Sequence, residues 1–505
     1  MTENKTMNAE IAIIGAGGGG LAAALSAAEA GCRSILVLEK APAPGGTTVM
    51  AHDLFAAESP VQIRQGVDAS RDFCFNRAME WAHWDRVNAR LVRSIIDKSG
   101  DTVRWLEEKG VVFHLSQFYT NQVPLTRHHI EGNAQAMMKI IREDCQKLGV
   151  QLLTRTRANR ILRGKNGEVT GVVATTKDGD LTVTAKSVII ATGGYAANME
   201  LLKKYCPPFY HLEHVGIDGF PNNTGDGLLM AIEAGAATAG LGTLLLSGPS
   251  RRWSDDLKVT ITPQGQEPAE VTIRLLIWDP LTLWVNKKGY RFMNEGYDLN
   301  FFATGHMVLE QPDGISYTLL DNDILARMEA SGITRTGGAG TALYRGMVHP
   351  GTPLTGIGRE LPAKEKLGLL KISDSVDGIA DYMGADRAVL KATIDEYNAA
   401  CDRGYDPVFS KERKYLIALR TPPYCAIRAN AQISDTIGGV KINEHMEVLD
   451  TQDDPIPGLY AAGVVAGCYE SENYCYPLSG HMVGFALNSG RIAAENVLRY
   501  LAKQY

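Results

Sequence analysis

Signals for metal, haem or iron–sulfur ligation are missing from this chain. Its eight cysteines stand at positions 32, 74, 145, 206, 401, 425, 468 and 475 and form no CxxC pair, no CxxCH and no cluster with metal-ligand spacing. Without such sites the chain has no internal electron wire, so electrons must come from or go to an external carrier or a second substrate. Thiols used in this way fit a reducing, cytoplasmic compartment. A basic surplus is missing too. Lys and Arg number 51 against 57 Asp and Glu, spread along the chain for a net charge of -6, which argues against nucleic acid as a partner. Residues 11–30 are nearly all apolar or small, long enough on paper to span a bilayer, but five glycines interrupt them. The basic n-region and cleavage site of a secretory signal are absent. No integral membrane segment is expected, and any membrane association would be peripheral. There is no internal repeat and no low-complexity linker.

What is present is a long, ordinary globular composition with a glycine surplus. The 505 residues exceed what one core usually organises, so about two domains are expected. Hydrophobic residues make up 45 % and charged residues 21 %, the balance of a folded protein. Glycine supplies 52 positions, above the usual share of about 7 %, which suggests many tight turns and places where backbone approaches a ligand.

The first forty residues read as one strand–helix–strand unit. Residues 10–14 form a short apolar strand, Gly15-Ala16-Gly17-Gly18-Gly19-Gly20 a turn that satisfies GxGxxG, and residues 21–30 a small-residue helix. A second strand follows and ends at Glu39, nineteen positions beyond Gly20. Glycines at Gly15, Gly17, Gly18 and Gly20 let the turn tighten, let backbone N–H groups meet a pyrophosphate and let helix and strand pack closely. The helix N-terminus adds partial positive charge, and Glu39 would accept hydrogen bonds from an adenosine ribose. Strand, turn, helix, strand and acid in that order point to a bound dinucleotide.

Further signals select which one. Lys40 leads into Gly45-Gly46-Thr47-Thr48, the run 187–194 ends as Ala191-Thr192-Gly193-Gly194, and Gly458-Leu459-Tyr460-Ala461-Ala462-Gly463 lies near the C-terminus ahead of a helix over 484–502. Thr224-Gly225-Asp226-Gly227 and Arg291-Phe292-Met293-Asn294-Glu295 stand between them. With these motifs the chain resembles the flavoproteins of the fumarate reductase and succinate dehydrogenase superfamily, and within it the 3-ketosteroid dehydrogenase branch. The resemblance runs over nearly the whole chain. It implies FAD rather than NAD, held by the four glycines of the first turn with Glu39, Lys40, Gly45, Gly46, Thr47, Thr48, Ala191, Thr192, Gly193, Asp226 and Gly463. Thr47 occupies the place where some relatives tether the flavin through a His, so the FAD is expected to be non-covalent, with His52 a neighbour. The expected fold is α/β: a Rossmann-like FAD domain built from residues 1–240 and 432–505, with an α+β capping domain, 241–431, inserted into it. Helices are expected within 57–121 and 374–401, a small β-meander over 152–186 and a β-rich stretch over 259–291.

The resemblance also suggests the chemistry. Fumarate reductases carry HGANRLGGNA where this chain has CYESENYCYPLSGHMVGFALNSGR (468–491), so Pro477 stands for the substrate-gripping Arg and His481 for the Asn. The dicarboxylate signature is missing. Tyr476-Pro477-Leu478-Ser479-Gly480 instead resembles ketosteroid dehydrogenase segments in which a Tyr hydroxyl and a Gly N–H polarise a ketone. That implies Tyr476 and the Gly480 N–H as an oxyanion-type pair, with Ser479 and Tyr474 one register step away; both tyrosines could equally pack under the flavin ring. Tyr297 stands close to where those enzymes place a proton-transferring Tyr, while Arg291 and Glu295 read as a structural pair. Tyr119, Arg127-His128-His129 and His481 are candidates for lining the substrate pocket, the basic run suiting a carboxylate or a phenol. His306, Tyr344, Arg345 and His349 are unranked alternatives.

These readings add up to an FAD-dependent oxidoreductase that desaturates or reduces a C–C bond conjugated to a carbonyl in a cyclic ketone or enone, by hydride transfer at flavin N5. Reduction of an unsaturated carboxylate such as an aryl-acrylate is the first alternative, with Arg127 or Arg345 in place of the missing Arg. Oxidation of a C–N bond, or a flavin-carrying module without turnover, remain open beside it.

Overall fold

The computed structural model describes residues 5–116, 124–252, 254–262, 267–297, 301–334 and 351–504. The chain divides into two compact units. The first comprises Met1–Cys206, Gly219–Leu245 and Asp435–Tyr505; the second comprises Pro207–Asp218 and Leu246–Ser434. The fold is the expected α/β flavoprotein architecture.

In the first unit, eight strands among the described residues form one sheet. Its spine runs in the order Glu447–Leu449, Pro455–Ala461, Gly179–Ile190, Lys5–Ile14, Ile35–Leu38 and Gln151–Leu153. The strand Lys5–Ile14 is parallel to both of its neighbours, with Ile11 opposite Ile35 on one side and Ser187 on the other. Such strands are covered on both faces and read as continuous apolar runs. Ile11, Ala12, Ile13 and Ile14 and the whole of Ile35–Leu38 are buried accordingly. Burying each such Ile or Leu contributes about 1.5–3 kcal/mol. The expected meander is real, but its strands Arg157–Arg163 and Val169–Thr176 join the main sheet through the long strand Gly179–Ile190.

Helices Gly18–Glu29 and His481–Ala502 cross on this sheet, and small residues set their distance. A side chain at Gly490 would put its Cβ 2.2 Å from the Gly19 carbonyl oxygen. The terminal helix starts at His481 rather than three residues later, because Gly480 in the left-handed conformation (φ 91) provides its N-cap. A separate antiparallel sheet of three strands holds Arg127–Ile130 between Asp53–Phe55 and Phe113–Ser116. Helices Pro60–Arg64, Arg71–Trp81 and Ala89–Glu107 fill the segment expected to be helical, capped by Ser59, Ser70 and Asn88.

The second unit has its own core. Strand Tyr424–Thr436 is its hub, pairing with Ile315–Leu320, Leu370–Ser373 and Gly216–Ile217. The stretch expected to be β-rich contains a hairpin, Lys258–Ile261 with Ala269–Thr272, then helix Arg274–Trp278 and strand Leu283–Asn286. The helical stretch is two helices, Val376–Met383 and Arg387–Arg403, each stopped by a left-handed glycine, Gly384 and Gly404. Arg291 and Glu295 pair here as the structural reading expects. Arg291 contacts Glu295 at 2.7 Å and Asp406 at 2.8 Å, and Lys411 lies 3.2 Å from Glu295. Four charges of alternating sign thus neutralise one another where water cannot reach them.

Among the described residues no helix is long and apolar enough to cross a membrane, and no cluster of His, Cys, Asp or Glu could hold a metal ion.

Candidate active site and cofactor cradle

The glycine turn after the first strand is shaped by backbone contacts that exclude side chains. Gly15 has φ 103, and a Cβ there would lie 2.4 Å from the Ala191 carbonyl oxygen; at Gly20 it would lie 1.9 Å from that of Gly15. At Gly17, by contrast, a Cβ would meet nothing within 4 Å, so the turn opens onto free space. Gly17 caps helix Gly18–Glu29 without a side-chain cap, and no acid sits in its first turn. The positive end of the helix dipole therefore faces open space at Gly17. Glu39 is pinned at the end of its strand, accepting from the N–H of Ala16 at 2.8 Å and of Ala41 at 2.7 Å.

The other expected cofactor residues collect around this turn. Thr48 Oγ1 accepts from the Gly18 N–H at 3.1 Å, and a Cβ on Gly46 would sit 3.2 Å from Gly17 Cα. Gly45 donates its N–H to the Ala16 carbonyl. Ala191 donates to the Ile14 carbonyl, Gly193 has φ 77, and the Gly463 N–H donates to Ser489 Oγ at 2.9 Å. Thr192 Oγ1 is buried without a hydrogen-bond partner and packs against Gly227, where a Cβ would lie 2.1 Å from it. Lys40 and Asp226 contact each other at 3.0 Å, Arg157 adds a second contact to Asp226 at 2.9 Å, and Thr224 completes the knot. Burial alone would raise the Asp226 pKa, but Lys40 and Arg157 outweigh it and hold the carboxyl below its usual range.

A second polar cluster joins the last turn before helix His481–Ala502 to strand Asp53–Phe55. The Gly480 carbonyl accepts from the Phe55 N–H at 3.1 Å, and a Cβ on Gly480 would lie 2.8 Å from the Phe55 nitrogen. The Gly480 N–H donates to the Tyr474 hydroxyl at 2.8 Å. The Gly480 N–H expected to act beside Tyr476 on a substrate oxygen is thus engaged within the protein. The turn Tyr476–Leu478 carries Tyr476 against Trp81, and the phenol two residues earlier reaches the N–H instead. Burial raises the Tyr474 pKa, opposed by hydrogen bonds from Gly480 and Ser479 and by the charge of Arg127. Burial, helped by the neighbouring Glu470, prevails, so Tyr474 holds its proton firmly.

His481 and Arg127 flank this phenol. The His481 ring lies against Tyr474, centroids 4.5 Å apart, and its Nε2 is 2.7 Å from Glu470 Oε1, a short contact not aligned as a hydrogen bond. Burial pushes His481 down to about 3 and raises Glu470 well above its usual range. Burial thus disfavours the charged form of each group. Arg127, opposite Phe55 in the three-stranded sheet, forms an ion pair with Asp53, and His129 Nδ1 lies 3.3 Å from the other Asp53 oxygen. Burial would raise Asp53, but its bonds to His129 and Arg127 prevail and keep it ionised. His128 points the opposite way. Its Nδ1 donates to the Thr126 carbonyl at 3.1 Å, its Nε2 accepts from Ser59 at 2.6 Å, and burial depresses it to about 4.

Tyr297 belongs to the second unit, 44 % exposed in a turn closed by Asn294. His306, also in the second unit, contacts the Tyr210 hydroxyl at 2.6 Å. Tyr119, Tyr344, Arg345 and His349 lie outside the described residues. Glu470, Asp435 and Asn223 were not foreseen. A lone acid in Ser434-Asp435-Thr436 or Tyr469-Glu470-Ser471 carries no sequence signal for burial.

Residues 10–481 match the family described as FAD binding domain. The chain belongs to that family of flavoproteins. The open turn at Gly17 and its uncapped helix fit a bound FAD. The chain is 31 % identical to the vinyl phenol reductase of Lactiplantibacillus plantarum, over 100 % of its own length and 99 % of that protein's. It is 25 % identical to a flavocytochrome c3 fumarate reductase of known structure, with TM-score 0.70 over 98 % of this chain and 78 % of that one. A 3-ketosteroid delta1-dehydrogenase from Sterolibacterium denitrificans shares the fold at TM-score 0.75 and 19 % identity, over 97 % and 99 % of the two chains. The fumarate reductases and ketosteroid dehydrogenases are the groups that the motifs resemble, and the chain is an FAD-dependent oxidoreductase acting on CH–CH groups.

Proposed function

We propose that this flavoprotein reduces the side-chain double bond of an aryl alkene whose conjugated system ends in an oxygen, a vinyl phenol or an aryl-acrylate. The observation that carries the reading is the buried cluster of Tyr474, Ser479 and the Gly480 N–H, with the Arg127 charge acting on the phenol. The full-length likeness to a vinyl phenol reductase supports the same chemistry. The cyclic-ketone reading rested on the ketosteroid dehydrogenases, whose likeness here is one of fold.

Bound FAD supplies the hydride, at N5. The protein's part is to hold the substrate oxygen and supply the proton. With an aryl-acrylate, Tyr474 donates to the carboxylate oxygen that takes up charge as hydride adds to the double bond; with a vinyl phenol, the terminal carbon gains a proton as the substrate's phenol gives one up, hydride then adds at the benzylic carbon, and the substrate oxygen regains its proton. Glu470, neutral and adjacent to His481, keeps a transferable proton in the same dry cluster. Electrons reach the flavin from an external donor. All eight cysteines are free thiols, which supports a reducing, cytoplasmic setting.

The test is anaerobic. The holoenzyme is reduced with dithionite, and reoxidation is followed at the visible flavin band with 4-vinylphenol, aryl-acrylates, cyclic enones, steroid enones and fumarate. Fast reoxidation by the aryl alkenes, with fumarate and steroids inert, is expected. Reoxidation by steroid or cyclic enones alone would overturn the proposal.

A further inference from the structure

Asp435 is a buried acid for which neither the fold nor the proposed reduction gives a use. It closes strand Tyr424–Thr436 and is 5 % exposed. Its partners are all neutral: Oδ1 accepts from the Thr436 N–H at 2.9 Å, and Oδ2 from Asn223 Nδ2 at 3.0 Å. Unlike Asp53 and Asp226, it has no cation facing it among the described residues. An uncompensated carboxylate in such surroundings is expensive to keep.

Its position connects it to the cofactor cradle. A Cβ on Gly194 would lie 2.5 Å from Asp435 Oδ1 and 2.2 Å from Thr436 Oγ1, so the carboxyl lies directly against the backbone that follows Ala191-Thr192-Gly193. The same Asn223 Nδ2 that holds Asp435 also bonds Thr47 Oγ1 at 3.1 Å, and a Cβ on Gly193 would meet Asn223 Oδ1 at 2.7 Å. Thr47, Asn223 and Asp435 thus form one hydrogen-bonded line beneath two of the segments that hold FAD. The titratable group adjoining it is Tyr195, whose N–H bonds Thr436 Oγ1 and whose hydroxyl accepts from the Gly242 N–H. No charged side chain faces Asp435 from Gly194, Asn223, Thr436 or Tyr195.

We propose that Asp435 is the redox-linked proton site of this flavoprotein: it takes up one proton when the bound flavin accepts two electrons and releases it when the flavin is reoxidised. The balance is two electrons and one proton onto the flavin, with electrons from the external donor, and one further proton from solvent onto the Asp435 carboxyl. Added negative charge on the cofactor makes the ionised carboxylate costlier, working with burial against the N–H donors of Asn223 and Thr436, which favour it. Burial already holds Asp435 at about 7, so it is poised to respond near neutrality. The inference stands on FAD binding alone and survives any revision of the substrate.

The experiment is a spectroelectrochemical titration of the flavin midpoint potential from pH 6 to 9 in the holoenzyme and in Asp435→Asn. Each proton taken up per two electrons adds about 30 mV per pH unit. Above pH 7 the native slope should be twice that of Asp435→Asn, and parallel lines would overturn the proposal. If the variant fails to retain flavin, the native protein decides the matter. Its reduced-minus-oxidised infrared spectrum at pH 8 should gain a protonated carboxyl band that shifts on [13C]aspartate labelling. Absence of that band, or one that shifts only on glutamate labelling, refutes the assignment.

Discussion

Tyr474→Phe isolates the hydroxyl on which the proposed mechanism depends. The ring stays, so its contact with His481, 4.5 Å between centroids, is preserved. Lost are the acceptor of the Gly480 N–H at 2.8 Å and the partner of Ser479. A buried N–H left without an acceptor costs about 1–3 kcal/mol, so unfolding should move to lower denaturant with flavin still bound. If Tyr474 also donates to the substrate oxygen, the rate of flavin reoxidation by an aryl alkene should fall by about 10²–10³, equivalent to about 2.7–4 kcal/mol in the barrier. Anaerobic stopped-flow at saturating substrate reads that step directly. Tyr476→Phe is the matched control: this ring packs on Trp81 and does not take the Gly480 N–H, so its loss should change the rate far less. A Tyr474→Phe enzyme that reoxidises within twofold of the native rate, beside a crippled Tyr476→Phe, would refute the assignment and restore the pairing first expected from the sequence.

Two further outcomes follow from buried charge. His128 is neutral in the fold, with its pKa at about 4, whereas an unfolded His titrates near 6.5. Its contribution is complete above pH about 6.5 and is lost as pH falls toward 4, at about 1.4 kcal/mol per pH unit. Urea midpoints measured from pH 7 to 4 should therefore decline less steeply in His128→Asn, and an unchanged decline would count against a buried neutral imidazole. In the second unit, Glu295→Ala strands Arg291 and Lys411, which contact it at 2.7 and 3.2 Å. A loss of about 3–5 kcal/mol is expected, and calorimetry showing an unmoved transition would contradict a compensated network.

The cofactor half of the site was legible because its signal is local. Six residues of turn, an acid nineteen positions later and the order of strand and helix fix the phosphate end of a dinucleotide site, and the structure builds that turn. The contact between Tyr474 and Gly480 was legible only to within a register step. Tyr474 and Tyr476 are equivalent on paper, and their roles separate only because the turn Tyr476–Leu478 turns one phenol toward Trp81 and leaves the other at Gly480. Arg127 could be read as a cation but not as the partner of Asp53, since that pairing depends on strands Asp53–Phe55 and Arg127–Ile130 lying side by side. Asp435 and Glu470 escaped notice because their character comes from desolvation. Nothing in the neighbouring letters records that.

The central sheet of the first unit sets an order on how the protein can be made. Strand Pro455–Ala461 is an interior strand, lying between Glu447–Leu449 and Gly179–Ile190, and helix His481–Ala502 crosses Gly18–Glu29 from the opposite end of the chain. A nascent chain that has emerged as far as residue 434 would hold a finished core for the second unit but an unclosed sheet for the first. The inserted unit is then free to fold before the sheet of the first unit can close. Removing the last fifty residues would take strand Pro455–Ala461 out of that sheet and helix His481–Ala502 away from Gly18–Glu29.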